Sequence, residues 1–193
     1  QMIHARQNIY DGTWTKLQTM GWMFVPLTEY QGGGAAATME PLSEHLDDYE
    51  RQLQNNLGAG VQACYRGPRL YDTEATKNLV TRYVNWFKQH RDILESDIIH
   101  GRRPDGRDLD YLIHVNPALD TPGMVVIYNP LPEPVTRTLQ LPLYYTSLSG
   151  EVQLQQEETA PQTITLDGQG RAVVEVSVPS RGMTWLIVKG KGK

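Results

Sequence analysis

Cysteine is all but missing from this 193-residue chain, where Cys64 stands alone. An internal disulfide is therefore excluded, a cysteine-based zinc site has no ligand set, and the redox compartment is left open. Long apolar runs are missing too: no stretch approaches the ~20 residues of a transmembrane helix, so no membrane span is expected. Positive charge is not in excess. Against 22 Asp and Glu stand 18 Lys and Arg, a formal net charge of -4, and the clustered positive charge that binds nucleic-acid phosphates is not there. Arg102-Arg103-Pro104-Asp105-Gly106-Arg107-Asp108 mixes signs evenly and reads as a solvated hairpin loop. The histidines, His4, His45, His90, His100 and His114, show no metal-ligand spacing. Neither a Gly-x-Ser-x-Gly elbow nor a phosphate-binding loop occurs. No metal and no cofactor is expected. With 39% hydrophobic and 21% charged residues, the composition is that of an ordinary globular protein with material for a core, which rules out disorder, collagen and coiled coil. No basic head followed by an apolar stretch opens the chain, and Gln1 in place of an initiator methionine is what a processed or excised piece would show.

What is there falls into two textures. Trp22-Met23-Phe24-Val25-Pro26-Leu27 is a continuous apolar run, as in a strand buried on both faces, and Pro26 places its end, since proline cannot donate to a ladder. The glycine-rich stretch Thr28 to Gly34 is a loop. From Glu40 to Leu57 the residues Leu42, Leu46, Tyr49, Leu53 and Leu57 recur at three- and four-residue steps, predicting an amphipathic helix stopped by Gly58. Gly60 to Tyr65 follows as a strand and Arg66-Gly67-Pro68-Arg69 as a turn. Thr73 then caps a helix running to about Leu94, with Leu79, Val80, Tyr83, Val84, Phe87 and Leu94 as its buried stripe. Upstream, Thr13 to Met20 forms a shorter helix. This alternation implies parallel strands with helical crossovers.

Around Asp97 the texture changes. Ile98–His100, Tyr111–Val115, Met124–Tyr128, Val135–Leu141, Glu151–Gln155, Thr163–Leu166, Ala172–Val178 and Thr184–Val188 read as short strands. Asp105-Gly106, Asn116-Pro117, Asn129-Pro130 and Asp167-Gly168 punctuate them. Such spacing without a helix pattern predicts an antiparallel β-sandwich.

Two parallel strands, apolar throughout, cannot bury both faces by themselves. The first half is therefore expected to be the tail of a larger sheet or barrel. An eight-fold (β/α) barrel takes ~250 residues, so only its last units would be present. The fold class is α/β followed by all-β: the last βα units of a (β/α)8-type barrel over residues 1–95, then a C-terminal antiparallel β-sandwich over 96–193.

That arrangement resembles the tail of many glycoside hydrolases. The segment Val84-Asn85-Trp86-Phe87-Lys88-Gln89-His90-Arg91-Asp92-Ile93-Leu94 resembles the final barrel helix of the α-galactosidase-like families, which leads into a C-terminal sandwich through a short linker. Val125 to Pro130 looks like a sandwich strand of such enzymes, and Trp22 to Asp72 is similar to uncharacterised bacterial glycosidase-like proteins. The resemblance implies carbohydrate chemistry in the parent protein, a carbohydrate substrate, and a secreted or periplasmic home. It also implies that the catalytic pair comes from earlier strands, so this chain alone is expected to be inactive. Its partner would be the remainder of the parent chain or another copy.

Barrel active sites lie at the C-terminal ends of the strands. That rule selects Glu29, Tyr30 and Gln31 after the first strand, and Tyr65, Arg66 and Arg69 after the second. Glycoside hydrolysis uses two carboxyl groups, and Glu29 is the one carboxylate directly at a strand end, as an acid/base or as a holder of a sugar hydroxyl. The ordinary alternative is a loop glutamate paired with Arg66 or Arg69. The two arginines could grip a carboxylate or sugar hydroxyls, or simply flank a rigid turn. His4, Arg6, Asp11 and Trp14 fall in the segment entering the first helix, with Asp11 and Trp14 as substrate-binding candidates; an aromatic at helical spacing is more often core. Cys64 reads as an inert buried thiol. A different class of function stays open: a non-catalytic carbohydrate-binding or structural module with Tyr111, Tyr128, Tyr144, Tyr145 and Trp185 as its aromatics. So does a complete small protein whose apolar strands are capped by self-association.

Overall fold

The computed structural model describes residues 2–15, 22–26, 40–60, 62–66 and 69–191. The chain divides into two compact units, residues 1–91 and 92–193.

In the first unit, α1 (Met2–Thr15) precedes β1 (Trp22–Pro26), and a 3-10 turn over Leu42–Glu44 leads into α2 (Leu46–Gly58). Then come β2 (Gln62–Arg66) and α3 (Glu74–Gln89). β1 and β2 pair in parallel, in register from Trp22 opposite Gln62 to Pro26 opposite Arg66. Pro26 is the last residue of β1. Leu46 of the predicted stripe is half-buried, and Tyr49, Leu53 and Leu57 of α2, with Leu42 of the preceding 3-10 turn, are buried. So are Gln52, Gln54, Asn55 and Asn56, which makes the second half of this helix buried all round. Buried amides demand partners. Gln54 Nε2 donates to the Tyr83 hydroxyl at 2.7 Å, Arg6 Nη1 donates to Asn55 Oδ1 at 3.4 Å, and Asn56 Nδ2 donates to the Gln52 carbonyl at 2.8 Å. The first two tie α2 to α3 and α1, and the third lies within α2.

Three helix boundaries differ from expectation. The first helix is Met2–Thr15 rather than Thr13 to Met20, of which residues 16–20 lie outside the described ones. Its buried positions include the polar Arg6 beside Ile9, so apolar periodicity did not reveal it. The second helix begins at Leu46 rather than Glu40, because Pro41 holds an extended backbone (φ -70°, ψ 139°) and disfavours helix in the residue before it. The third ends at Gln89. There the His90 N–H is shared between the Trp86 and Phe87 carbonyls at 3.2 Å each, and a separate turn, α4 (Arg91–Leu94), follows. Thr73 caps α3 as predicted, its hydroxyl accepting from the Thr76 N–H at 3.4 Å while Thr76 Oγ1 accepts from the Thr73 N–H at 3.0 Å. The stripe of α3 runs through Thr76, Val80, Tyr83 and Trp86, with Leu79, Val84 and Phe87 half-buried.

The second unit holds eight strands: β3 (Asp97–His100), β4 (Asp110–Val115), β5 (Gly123–Tyr128), β6 (Val135–Pro142), β7 (Glu151–Gln156), β8 (Gln162–Thr165), β9 (Arg171–Val178) and β10 (Met183–Gly190). Every one answers to a strand read from the sequence. They form a six-stranded sheet, β3-β4-β5-β10-β7-β8, and a two-stranded ribbon, β6-β9, with all pairings antiparallel. One core joins the sheets: Leu141, Ala172, Val174, Val176 and Val178 of the ribbon pack with Ile113, Val125, Ile127, Leu154 and Leu186 of the larger sheet. β9 alternates as its sequence does, with Val173, Glu175 and Ser177 exposed. β5, at the centre, is buried at every position.

Two residues fix the loops. Asn129, 2% exposed, donates through Nδ2 to the Glu133 and Pro179 carbonyls at 2.8 and 2.9 Å and accepts from the Leu131 N–H at 2.9 Å. Gly101 lies beneath the Tyr111 ring, where a Cβ would fall 2.1 Å from a ring carbon. The Arg102 to Asp108 segment is the loop between antiparallel neighbours β3 and β4, closed by an Arg102–Asp105 ion pair of 2.5 Å.

Candidate functional site

In a parallel pair joined by a helix, the loops after both strands emerge at one end. The sequence after β1 carries Glu29, Tyr30, Gln31 and Gly32 to Gly34, all outside the described residues. Tyr65 and Arg66 are placed by their backbone as the last two residues of β2, opposite Val25 and Pro26. The two loops meet where they return to helices. Arg69 forms a two-pronged ion pair with Glu40, Nη2 to Oε2 at 2.8 Å and Nε to Oε1 at 3.2 Å. This planar fork raises the Arg69 pKa above its ordinary value through the Glu40 hydrogen bond and charge. The guanidinium considered as a substrate clamp, or as a mate for Glu29, is thus engaged by Glu40.

Four further bonds hold these segments, three of them between the two and one within the second. The Ser43 N–H and hydroxyl donate to Asp72 Oδ2 at 3.0 and 3.2 Å, and the Thr76 hydroxyl donates to Oδ1 at 3.0 Å. The Tyr49 hydroxyl donates to the Leu70 carbonyl at 2.6 Å. Desolvation alone would push the Asp72 carboxyl up, but the bonds from Ser43 and Thr76 outweigh it and hold the pKa below the ordinary range. Chemically this is a clamp. Asp72, held below its ordinary range by these donors, is suited to fixing loops rather than exchanging protons.

A second cluster locks α2 to α3. The Tyr83 hydroxyl donates to Glu50 Oε1 at 2.7 Å and accepts from Gln54. Arg82 pairs with Glu50 and lies 4.7 Å from the Tyr83 ring centre. Burial first, then the Glu50 carboxylate, pushes the Tyr83 pKa up to about 12.

Asp11 and Trp14 sit on α1 rather than in a loop entering it, as do His4 and Arg6; Asp11 is exposed. Sequence reasoning missed Glu40, Ser43 and Asp72. The pairs they form span 29 residues, and the one local signal is the Thr73-to-Thr76 capping box beside Asp72. Among the described residues no group of His, Cys, Asp and Glu could hold a metal ion, and no helix is long and apolar enough to cross a membrane.

No protein-family model and no curated protein matches this sequence. Solved structures do match. The α-amylase of Geobacillus thermoleovorans, complexed with acarbose, aligns with 99% of this chain and 47% of its own at a TM-score of 0.59 and 10% identity. A Bacillus halodurans protein assigned provisionally as an α-N-acetylgalactosaminidase aligns over 98% and 43%, at a TM-score of 0.54 and 14% identity. An Anoxybacillus α-amylase aligns over 89% and 38%, at 0.50 and 12%. The fold is glycoside-hydrolase-like. This chain spans less than half the length of each of these structures, and at such identities the likeness concerns the fold alone.

Proposed function

We propose that this chain is the C-terminal portion of a glycoside-hydrolase-like, carbohydrate-active protein, more narrowly one of the α-galactosidase-like kind. Residues 1–95 supply the last βα units of a (β/α) barrel and 96–193 the C-terminal β-sandwich that stabilises it. The observation that carries this reading is the two-stranded parallel sheet: β1 and β2 pair with each other and with no other described strand. A lone parallel pair with the apolar run Trp22-Met23-Phe24-Val25 needs covered faces and paired edges. The coverage of under half of each amylase supports it.

In this reading Glu29, Tyr30, Gln31, Tyr65 and Arg66 line one wall of a sugar site, and the Glu40–Arg69 and Ser43–Asp72 bonds hold that wall's loops in register. The catalytic carboxylates come from earlier strands, so the 193-residue chain is inactive towards glycosides. The test is expression together with the coding region upstream of it, assayed on aryl glycosides. Hydrolysis should appear only with the upstream strands present. In that longer protein Glu29→Gln should lower kcat by ~100-fold or more if Glu29 transfers a proton; unchanged kinetics would remove Glu29 from the site.

A further inference from the structure

We propose that Tyr144 and Tyr145 form an accessory oligosaccharide-binding corner on the second unit, one that grips a neutral pyranose chain by stacking and takes no part in bond cleavage. The proposal rests on reading the chain as part of a carbohydrate-active protein.

The presentation of this pair is unusual for an apolar side chain. Tyr144 is 68% and Tyr145 55% exposed, while Leu143 before them and Thr146 after them are 0% and 1% exposed. The 3-10 turn that carries them is fixed: the Thr146 hydroxyl donates to the Leu143 carbonyl at 2.6 Å, and the Leu143 N–H donates to the Gly170 carbonyl at 2.9 Å. Gly170, at φ +71°, packs so closely that a Cβ there would lie 3.0 Å from Tyr144 Cα. Two rings thus project from a backbone tied down by hydrogen bonds, which lowers the cost of ordering them on a ligand. They stand edge to face, centroids 5.4 Å apart at 87°, as two sides of a corner.

A pyranose has an apolar C–H face and a rim of hydroxyls, and the surroundings suit both. The rings offer faces for stacking. The neighbouring hairpin, whose Gly170 packs on the Tyr144 backbone, carries polar groups: Asp167, which takes the Arg171 Nε–H at 2.7 Å and the Gln169 and Arg171 N–H groups at 2.8 and 2.9 Å, together with the guanidinium of Arg171. Asp167 and Arg171 cancel in charge, which favours a neutral ligand over an ionic one. A protein partner is disfavoured by size. Among the described residues of this unit only Val173 joins the pair as an exposed large hydrophobic, far short of a protein interface of ~800 Å² per partner.

The test titrates the 193-residue chain separately with maltoheptaose and cellohexaose, by calorimetry and by amide NMR shifts. The expected result is saturable binding of at least one, with shifts confined to Tyr144–Thr146 and Gly170–Arg171. Tyr144→Ala combined with Tyr145→Ala should raise Kd at least tenfold, about 1.4 kcal/mol, with an unchanged circular dichroism spectrum. Phenylalanine at both positions keeps the rings and should hold Kd within about threefold if stacking dominates. Binding of neither sugar, shifts elsewhere, or an affinity untouched by the double alanine variant would each overturn the proposal. None of these outcomes bears on the barrel-tail reading, which stands or falls on the size of the native gene product.

Discussion

Tyr83→Phe tests the physical reasoning about the first unit at its most specific point. Tyr83 is 7% exposed, and its hydroxyl is shared by Glu50, Gln54 and Arg82, the last at 3.1 Å. Removing the oxygen deletes a hydrogen bond to a carboxylate, worth about 1.5–3 kcal/mol, and leaves the buried Gln54 amide short of an acceptor. Arg82 is largely exposed, so the charge contribution is screened, and we expect a loss of about 2 kcal/mol at pH 7. The same hydroxyl sets a pH dependence. Its pKa is raised from 10.0 to about 12 in the folded chain, so the native state holds the phenolic proton more tightly than the unfolded state. That stability is fully present below pH 10 and is lost as pH rises from 10 through about 12, amounting to about 2 kcal/mol at ~1.4 kcal/mol per pKa unit after discounting for solvent. Urea unfolding followed at 222 nm is the assay, because α1, α2 and α3 all belong to the first unit. Wild-type stability should fall more steeply than that of Tyr83→Phe between pH 10 and 12. Curves that coincide at pH 7 within about 0.5 kcal/mol, the usual scatter of surface substitutions, would refute the reasoning.

Three further outcomes follow from the same structure. Asn129→Ala removes a buried amide that satisfies two carbonyls and one N–H of the loops 129–133 and 179–182; it should destabilise the second unit by about 2–4 kcal/mol, read by near-ultraviolet dichroism on thermal unfolding. Gly101→Ala places a methyl group against the Tyr111 ring, and a loss of about 1–3 kcal/mol is expected from overpacking, with Gly101→Ser at least as damaging. For Asp72 the pKa is lowered, so its contribution is present above the ordinary carboxylate range and is lost as pH falls below 3.8. Asp72→Asn should therefore melt earlier than wild type at pH 7, with the difference narrowing as pH falls below 3.8.

The second unit was legible because its strands obey short-range rules. β9 alternates residue by residue, β5 is a continuous apolar run, and turn dipeptides such as Asn129-Pro130 and Asp167-Gly168 separate the strands. Which strands share a sheet was not legible, since β10 joins β5 and β7 by pairings distant in sequence. In the first unit the apolar stripe of α2 could be read from Tyr49, Leu53 and Leu57, but its buried amides could not. Gln54 finds a partner in Tyr83, 29 residues on, which no local pattern announces. The strand-end rule located the loops after β1 and β2 without foreseeing how they are joined. Glu40 carries no local signature and Asp72 only the neighbouring capping box, and their roles emerge when the chain brings Arg69 and Ser43 to them.

The central claim is that these residues complete a larger barrel, and the mass of the native gene product tests it most directly. An immunoblot with an antibody raised against residues 97–193 should show a band several times heavier than the 21.8 kDa of this chain. A native product of 21.8 kDa would contradict the account and leave the parallel pair of β1 and β2 to be covered by self-association instead.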